Sequence, residues 1–355
     1  MSVERLSAEQ ALAALESYSD IIDARSEGEY AEDHLPGAVN WPSLRDEERR
    51  IVGTRYKQIS QFEAQKLGAA LVAKNIAEHI QREVLDKPRD WRPLVYCWRG
   101  GKRSGSLALI LDQIGFRVTL VDGGYKAFRA ALVADLPQLA ARFSYRVVCG
   151  PTGAGKTRLL QSLGRQGAQV LDLEALARHR SSVLGMIPGV AQPSQKAFDR
   201  LIWATLTGFD PARPVYIESE SKKVGNVAIP EGLIEAMRIS DCLRIDLPEP
   251  ERVALLMEDY GFFLTDMDLF CERLGALTEA RGKATVQDWQ ARASSGDVAS
   301  VVRELLVKHY DPGYLQSMQR NFVQFAAARV LSPQDHSAGA MAVLARALLA
   351  ETAMP

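Results

Sequence analysis

Tyr145-Arg-Val-Val-Cys-Gly-Pro-Thr-Gly-Ala-Gly-Lys-Thr157 decides the fold of the second half of the chain. Its first five residues read as a buried strand. Gly150 to Thr157 then match the spacing Gly-x4-Gly-Lys-Ser/Thr, and Lys156 to Leu163 continues as a helix. A strand that turns through glycines into a helix aims backbone N–H groups and the positive helix end at one point, a cradle for phosphate. Gly150, Thr152, Gly153 and Gly155 form that turn. Lys156 neutralises phosphate charge, and Thr157 is placed to hold Mg2+.

Outward from this loop, strands and helices alternate. Gln169-Val-Leu-Asp172, Val215-Tyr-Ile-Glu218 and Leu243-Arg-Ile-Asp246 read as further strands. Pro248 and Pro250 flank the start of a helix running to about Tyr260. Residues 264–325 are mostly helical in pattern, Arg329-Val-Leu331 reads as a last strand, and 338–349 as a closing helix. Three acids stand at strand ends or just beyond: Asp172, Glu218 and Glu220. They are candidates to act as acids or to hold metal-bound water, unless they are simply solvated strand ends. Lys222 with Lys223, and His179 with Arg180 next to Ser181 and Ser182, form two basic clusters suited to phosphates or an RNA backbone; solvated surface is the plain alternative.

The first half shows the same alternation. Ser19-Asp-Ile-Ile-Asp23, Pro93-Leu-Val-Tyr96 and Arg117-Val-Thr-Leu-Val121 read as strands. Leu107, Ile110, Leu111 and Ile114 recur at helical spacing, with Gly115 as the stop. The fold expected is α/β throughout, with parallel sheets: a first domain over 1–134, a helical or irregular connector over 135–144, and a phosphate-loop domain with a helical C-terminal part over 145–355. Cys97 lies one residue past a strand, in Tyr96-Cys-Trp-Arg-Gly-Gly-Lys-Arg103-Ser104, where a helix begins. Ligands gather at the carboxyl ends of parallel strands. Gly100 and Gly101 let the backbone curl into an anion nest, and Arg99, Lys102 and Arg103 add positive charge. The surroundings therefore predict a thiol with lowered pKa and nucleophilic character, against the alternative of a buried structural cysteine.

Composition narrows the class. The chain has 355 residues, 47% hydrophobic and 25% charged, as in a packed globular protein of two domains. No apolar run nears the roughly 20 residues of a membrane helix, and the polar N-terminus has no signal-peptide core. Four cysteines, at 97, 149, 242 and 271, form neither a Cys-x-x-Cys pair nor zinc spacing, so they predict no metal site of their own, and a reduced, cytoplasmic setting is expected. The net charge of −1 rules out a polycation; nucleic acid would have to meet local basic patches.

Asp23-Ala-Arg-Ser-Glu-Gly-Glu-Tyr30, His34-Leu-Pro-Gly-Ala-Val-Asn-Trp-Pro42 and Gly123-Gly-Tyr125 resemble the opening and closing motifs of rhodanese domains. The resemblance implies a chalcogen-carrying Cys97, with Asp23 and Arg25 holding the fold near its loop. The five residues between Cys97 and Arg103 exceed the loop of common sulfurtransferases and match that of rhodanese-related phosphatases, which suits a tetrahedral, phosphate-like substrate. The pairing of such a domain with this phosphate loop resembles tRNA 2-selenouridine synthases. So do the insertion Glu48-Arg-Arg-Ile-Val-Gly-Thr-Arg-Tyr-Lys57, Leu171-Asp-Leu-Glu174, Gln192-Pro-Ser-Gln-Lys196 and Glu218-Ser-Glu-Ser-Lys222.

That resemblance implies replacement of sulfur by selenium in the wobble 2-thiouridine of tRNA. Selenophosphate would be the selenium donor, and geranyl diphosphate would make an S-geranylated intermediate at the phosphate loop. No tightly bound cofactor is expected. Partners would be tRNA, through Arg49, Arg50, Arg55, Lys57, Lys222 and Lys223, and an enzyme that supplies selenophosphate. Two other readings compete. One is a Cys-dependent sulfurtransferase or phosphatase with a nucleotide-binding regulatory domain. The other is a P-loop kinase or NTPase whose rhodanese module only binds partners.

Overall fold

A computed structural model of the chain describes residues 3–180 and 185–352. Ser181 and Ser182 lie outside the described residues. The chain divides into two compact units, Met1–Asp135 with Pro193–Ala204, and Leu136–Gln192 with Thr205–Pro355.

The first unit contains β1 (Glu4–Leu6), α1 (Ala8–Ala13), β2 (Asp20–Asp23), α2 (Glu27–Glu32), β3 (Ala38–Asn40), α3 (Asp46–Gln58), α4 (Gln61–His79), β4 (Pro93–Tyr96), α5 (Lys102–Ile114), β5 (Thr119–Val121) and most of α6 (Gly124–Ala140). Its five strands are all parallel, in the order β1-β5-β4-β2-β3. β4 is central and buried at every residue, which is why it reads as an unbroken apolar run. Ile22, Val95, Leu107, Leu111 and Leu120 fill the core, with Trp41 stacked on Trp91 and Trp91 edge-on to Phe116. α5 ends at Gly115, which takes the left-handed conformation (φ +114°) that a side chain would resist. The 135–144 stretch expected as a connector is mostly the end of α6, which continues to Ala140 with Pro137 inside it.

The second unit contains β6 (Tyr145–Cys149), α7 (Lys156–Arg165), β7 (Gln169–Leu171), α8 (Leu173–Ala177), the end of α9 (Gln195–Thr207), β8 (Val215–Glu218), β9 (Lys223–Val224), β10 (Val227–Ala228), α10 (Glu231–Ile239) and β11 (Asp241–Ile245). There follow α11 (Glu249–Asp259), α12 (Phe262–Thr265), α13 (Met267–Gly275), α14 (Thr278–Arg281), α15 (Lys283–Ser294), α16 (Val298–Leu305), α17 (Asp311–Asn321), β12 (Arg329–Leu331) and α18 (Ala338–Thr352). The main sheet is parallel, β12-β11-β6-β8-β7. The chain leaves β6 toward one edge and later returns to its other side as β11. β6 is thus the point where strand order switches, and ligands bind beyond the carboxyl end of such a strand. The phosphate loop follows β6 directly. The helices from α11 to α16 build a separate apolar cluster around Trp289, Phe270 and Leu305.

One boundary departs from the expected domains. Residues 193–204, expected with the phosphate-loop domain, belong to the first unit. Arg200 donates to buried Asp33 at 2.7 Å, Ser194 to the Glu32 carbonyl at 2.6 Å, and Trp203 to Asp135 at 2.7 Å. Lys196 pairs with Glu32, and Arg129 with Asp199.

Candidate functional sites: a cysteine loop and a phosphate loop

Cys97 leaves the end of β4 and is almost fully buried. The Ser104 hydroxyl, in the first turn of α5, donates to its sulfur at 3.1 Å. The backbone around it is held tightly. Tyr125 N–H donates to the Cys97 carbonyl at 2.8 Å, and Lys126 N–H to that of Trp98 at 3.1 Å. Gly124 (φ +57°) lies so close that a Cβ there would come within 2.2 Å of the Cys97 carbonyl oxygen. The unsatisfied N–H groups of the first turn of α5 open onto this loop. Arg99 and Lys102 are exposed and have no ion pair among the described residues. Arg103 differs from its expected place: its guanidinium binds Glu29 at 2.6 Å, which draws its charge to α2.

Below the loop lies a buried polar network. Arg25 binds Asp23 through both side-chain oxygens and donates to the Asp33 carbonyl at 2.5 Å. Its guanidinium stacks 3.9 Å from the centre of the Tyr125 ring. Tyr96 donates to Asp23 at 2.8 Å and Tyr125 to Asp33 at 2.8 Å. Burial works against the Arg25 charge, but the hydrogen bonds and charge of Asp23 outweigh it and raise its pKa. These groups support the Cys97 loop from beneath.

In the second unit Gly153 (φ +77°) and Gly155 (φ +87°) give the phosphate loop its curl. Lys156 Nζ donates to the Gly150 carbonyl at 2.8 Å and lies 5.8 Å from the Tyr314 ring centre. The Tyr314 hydroxyl accepts from Gly150 N–H at 2.6 Å. Arg252, buried, donates twice to the Thr152 carbonyl, at 3.0 and 2.8 Å, while its other face holds Asp311. Thr157 donates to Glu174 at 3.1 Å. Tyr314, Arg252 and Glu174 were not anticipated from sequence. The first two come from helices 100 or more residues away and carry no local signal. Glu174 sits two residues past the anticipated Asp172.

The acids fall into distinct places. Asp172 caps α8, accepting from Ala175 N–H at 2.8 Å, and burial raises its pKa. Glu218 is buried at the end of β8. One of its oxygens accepts from Glu174 N–H at 2.8 Å, and the other has no hydrogen-bond partner among the described residues. Burial, reinforced by the Asp172, Glu220 and Glu174 carboxylates, pushes Glu218 well above the usual carboxylate range. Glu220 is buried alongside. Among the described residues no group of three or more His, Cys, Asp or Glu side chains is arranged to hold a metal ion.

A broad cavity opens over the phosphate loop. Lys156, Asp172, Glu174, Glu220, His179, Arg180 and Lys223 all face it, as do Arg281 and His309; Lys222 is not part of its lining. Burial lowers the His179 pKa, so this ring is neutral at pH 7 and adds no charge to the basic cluster. A second, apolar cavity of about 520 Å³, its opening included, shares Thr152, Leu256, Tyr260 and Tyr310 with the first. Its remaining wall includes Phe263, Phe270, Val298, Val302 and Leu305. Arg49, Arg50, Arg55 and Lys57 are brought together on α3 of the first unit, all exposed. Arg49 pairs with Glu29 and Arg50 with Glu47.

Two family profiles match the chain. That of the rhodanese-like domain covers residues 7–131, and that of the tRNA 2-selenouridine synthase AAA domain covers 143–281. A tRNA 2-selenouridine synthase of Nitrosomonas europaea is 38% identical over 244 residues, 68% of this chain and 63% of that protein, so this match spans less than two thirds of its length. That of Alcanivorax borkumensis is 31% identical over 343 residues, covering 87% of this chain and 92% of the relative. That of Bordetella bronchiseptica is 32% identical over 346 residues, with 89% and 91% covered. No helix among the described residues is long and apolar enough to cross a membrane.

Proposed function

This chain belongs to the family of tRNA 2-selenouridine synthases, and we propose that it exchanges sulfur for selenium in wobble 2-thiouridine of tRNA in two half-reactions, one on each unit. In the first, the C2 sulfur attacks C1 of geranyl diphosphate. A C–S bond forms, the C–O bond breaks, and diphosphate leaves with the electron pair. Ionisation of that bond needs negative charge to be held, which Lys156, the loop N–H groups and the α7 N-terminus can do. Thr157, hydrogen-bonded to Glu174, is the hydroxyl that would turn to a diphosphate-bound Mg2+, which would share the charge of the leaving group.

In the second half-reaction, the Cys97 thiolate attacks the phosphorus of selenophosphate. The P–Se bond breaks and selenide leaves with its electron pair. Water then cleaves the phosphocysteine to phosphate, and no oxidant or reductant is required. Selenide adds at C2, and geranyl thiol departs with the electron pair of the C–S bond. Alkylation matters because a thiocarbonyl sulfur leaves poorly and a thiol leaves well. The N–H groups at the start of α5 suit the tetrahedral anion, and the Ser104 hydroxyl, donating to Cys97 Sγ, fixes the position of the sulfur. An enzyme supplying selenophosphate is the expected partner.

The observation that carries this reading is the presence, in one chain, of a buried cysteine at the end of β4 and a complete phosphate loop at the end of β6. Mass analysis of tRNA nucleosides from cells lacking the protein tests it. Loss of 2-selenouridine, restored by the intact gene, is expected. Unchanged 2-selenouridine would overturn it.

A further inference from the structure

An apolar cavity lies beside the phosphate loop. Protein interiors are close-packed, and voids larger than a water molecule are few. The space is walled almost wholly by apolar side chains, as a subsite for hydrocarbon would be. Its position is specific, because Thr152, one of its wall residues, is part of the phosphate loop. Tyr260 and Tyr310 stand on both cavities. The Arg180 guanidinium lies 4.7 Å from the centre of the Tyr260 ring. A cation and the loop N–H groups therefore mark one side of this rim, and hydrocarbon marks the other.

We infer that the apolar cavity is the tail subsite of the phosphate loop, taking the hydrocarbon chain of an allylic diphosphate whose head lies at Lys156. This rests on the reading of the loop as a prenyl diphosphate site and adds which residues hold the chain. The wall chemistry selects the tail. Among the described residues, the polar side-chain groups on this cavity are the hydroxyls of Thr152, Tyr260 and Tyr310, all on the shared rim. Beyond them the lining is aliphatic and phenyl, with the thioether of Met257. A purine base placed there would leave its ring nitrogens and exocyclic groups without hydrogen bonds, which disfavours a nucleotide. A hydrocarbon chain has no such groups. Phe270, Val298 and Val302, absent from the phosphate cavity, then set how long a chain fits.

The test is binding to the full-length protein of inorganic diphosphate, dimethylallyl diphosphate and geranyl diphosphate. Each buried methylene contributes about fourfold in affinity. With the added carbons only partly buried, geranyl diphosphate should bind roughly 10- to 100-fold tighter than the dimethylallyl compound. Val302→Trp, at a half-buried position, and Leu264→Trp, at an exposed one, should cut the geranyl affinity at least tenfold. Both should leave the dissociation constant for inorganic diphosphate within twofold. Geranyl preference kept by both folded variants would overturn the subsite while leaving the prenyl donor intact. Equal binding of all three ligands by the unaltered protein would remove donor and subsite together. Nucleotide binding tighter than that of geranyl diphosphate, and lost in the same variants, would overturn the inference by assigning the cavity to a base.

Discussion

Replacing Arg25 with alanine separates a structural role from a chemical one. Arg25 is 1% exposed and binds Asp23 at 2.6 Å, the Asp33 carbonyl, and the face of Tyr125. Truncation leaves Asp23 a buried carboxylate with the Tyr96 hydroxyl and a backbone N–H as its remaining partners. Breaking a buried pair in this way costs about 3–5 kcal/mol. That is a large part of the roughly 5–15 kcal/mol that holds a domain together. At about 2–4 °C per kcal/mol, the first unit should melt roughly 6–20 °C lower. Differential scanning calorimetry reads this, and binding of diphosphate by the phosphate loop serves as an internal control that should not change. Below the new melting temperature selenium transfer should persist, since Arg25 supports the loop from beneath. An unchanged melting temperature with transfer abolished would refute the reasoning and make Arg25 a participant in the chemistry.

Glu218 holds its proton to higher pH in the fold than in the unfolded chain, because burial raises its pKa. Its contribution to stability is therefore full below about pH 4 and is lost as pH rises through the raised value. Glu218→Gln should melt close to the unaltered protein near pH 4 and increasingly above it toward pH 8; a difference independent of pH contradicts this assignment. For RNA, affinity for tRNA should fall steeply with salt. The double change Arg55→Ala with Lys57→Ala should reduce the log–log slope by roughly 1.5–2. Arg49 and Arg50, already paired with Glu29 and Glu47, should matter less when replaced, and a slope unmoved by the double change would place the RNA elsewhere.

Which features were legible in sequence follows from how local their signals are. β4 is a central strand buried at every residue and reads as an apolar run, and β6 does so apart from half-exposed Arg146. Cys97 and the phosphate loop are written in consecutive residues. β1 and β3 are three-residue edge strands with exposed positions, too short to show a period. α3 buries no side chain and so shows no apolar stripe. The docking of residues 193–204 onto the first unit depends on Arg200 meeting Asp33 across 167 residues. Tyr314 at Gly150 and Arg252 at Thr152 join the phosphate loop from equally remote helices. Such pairings exist only once the sheets have formed. The apolar cavity is invisible in sequence for the same reason, since its walls look like ordinary core positions.

The central claim is a division of labour between two loops, and nucleoside analysis of tRNA from cells carrying Cys97→Ser or Lys156→Ala tests it most directly. Serine keeps the size and a hydroxyl but removes the soft nucleophile. The account predicts that Cys97→Ser still alkylates thiouridine but installs no selenium, so S-geranyl-2-thiouridine accumulates. Lys156→Ala removes the counter-charge of the leaving diphosphate and should leave plain 2-thiouridine. Normal 2-selenouridine with Cys97→Ser, or plain 2-thiouridine with both variants, would contradict it.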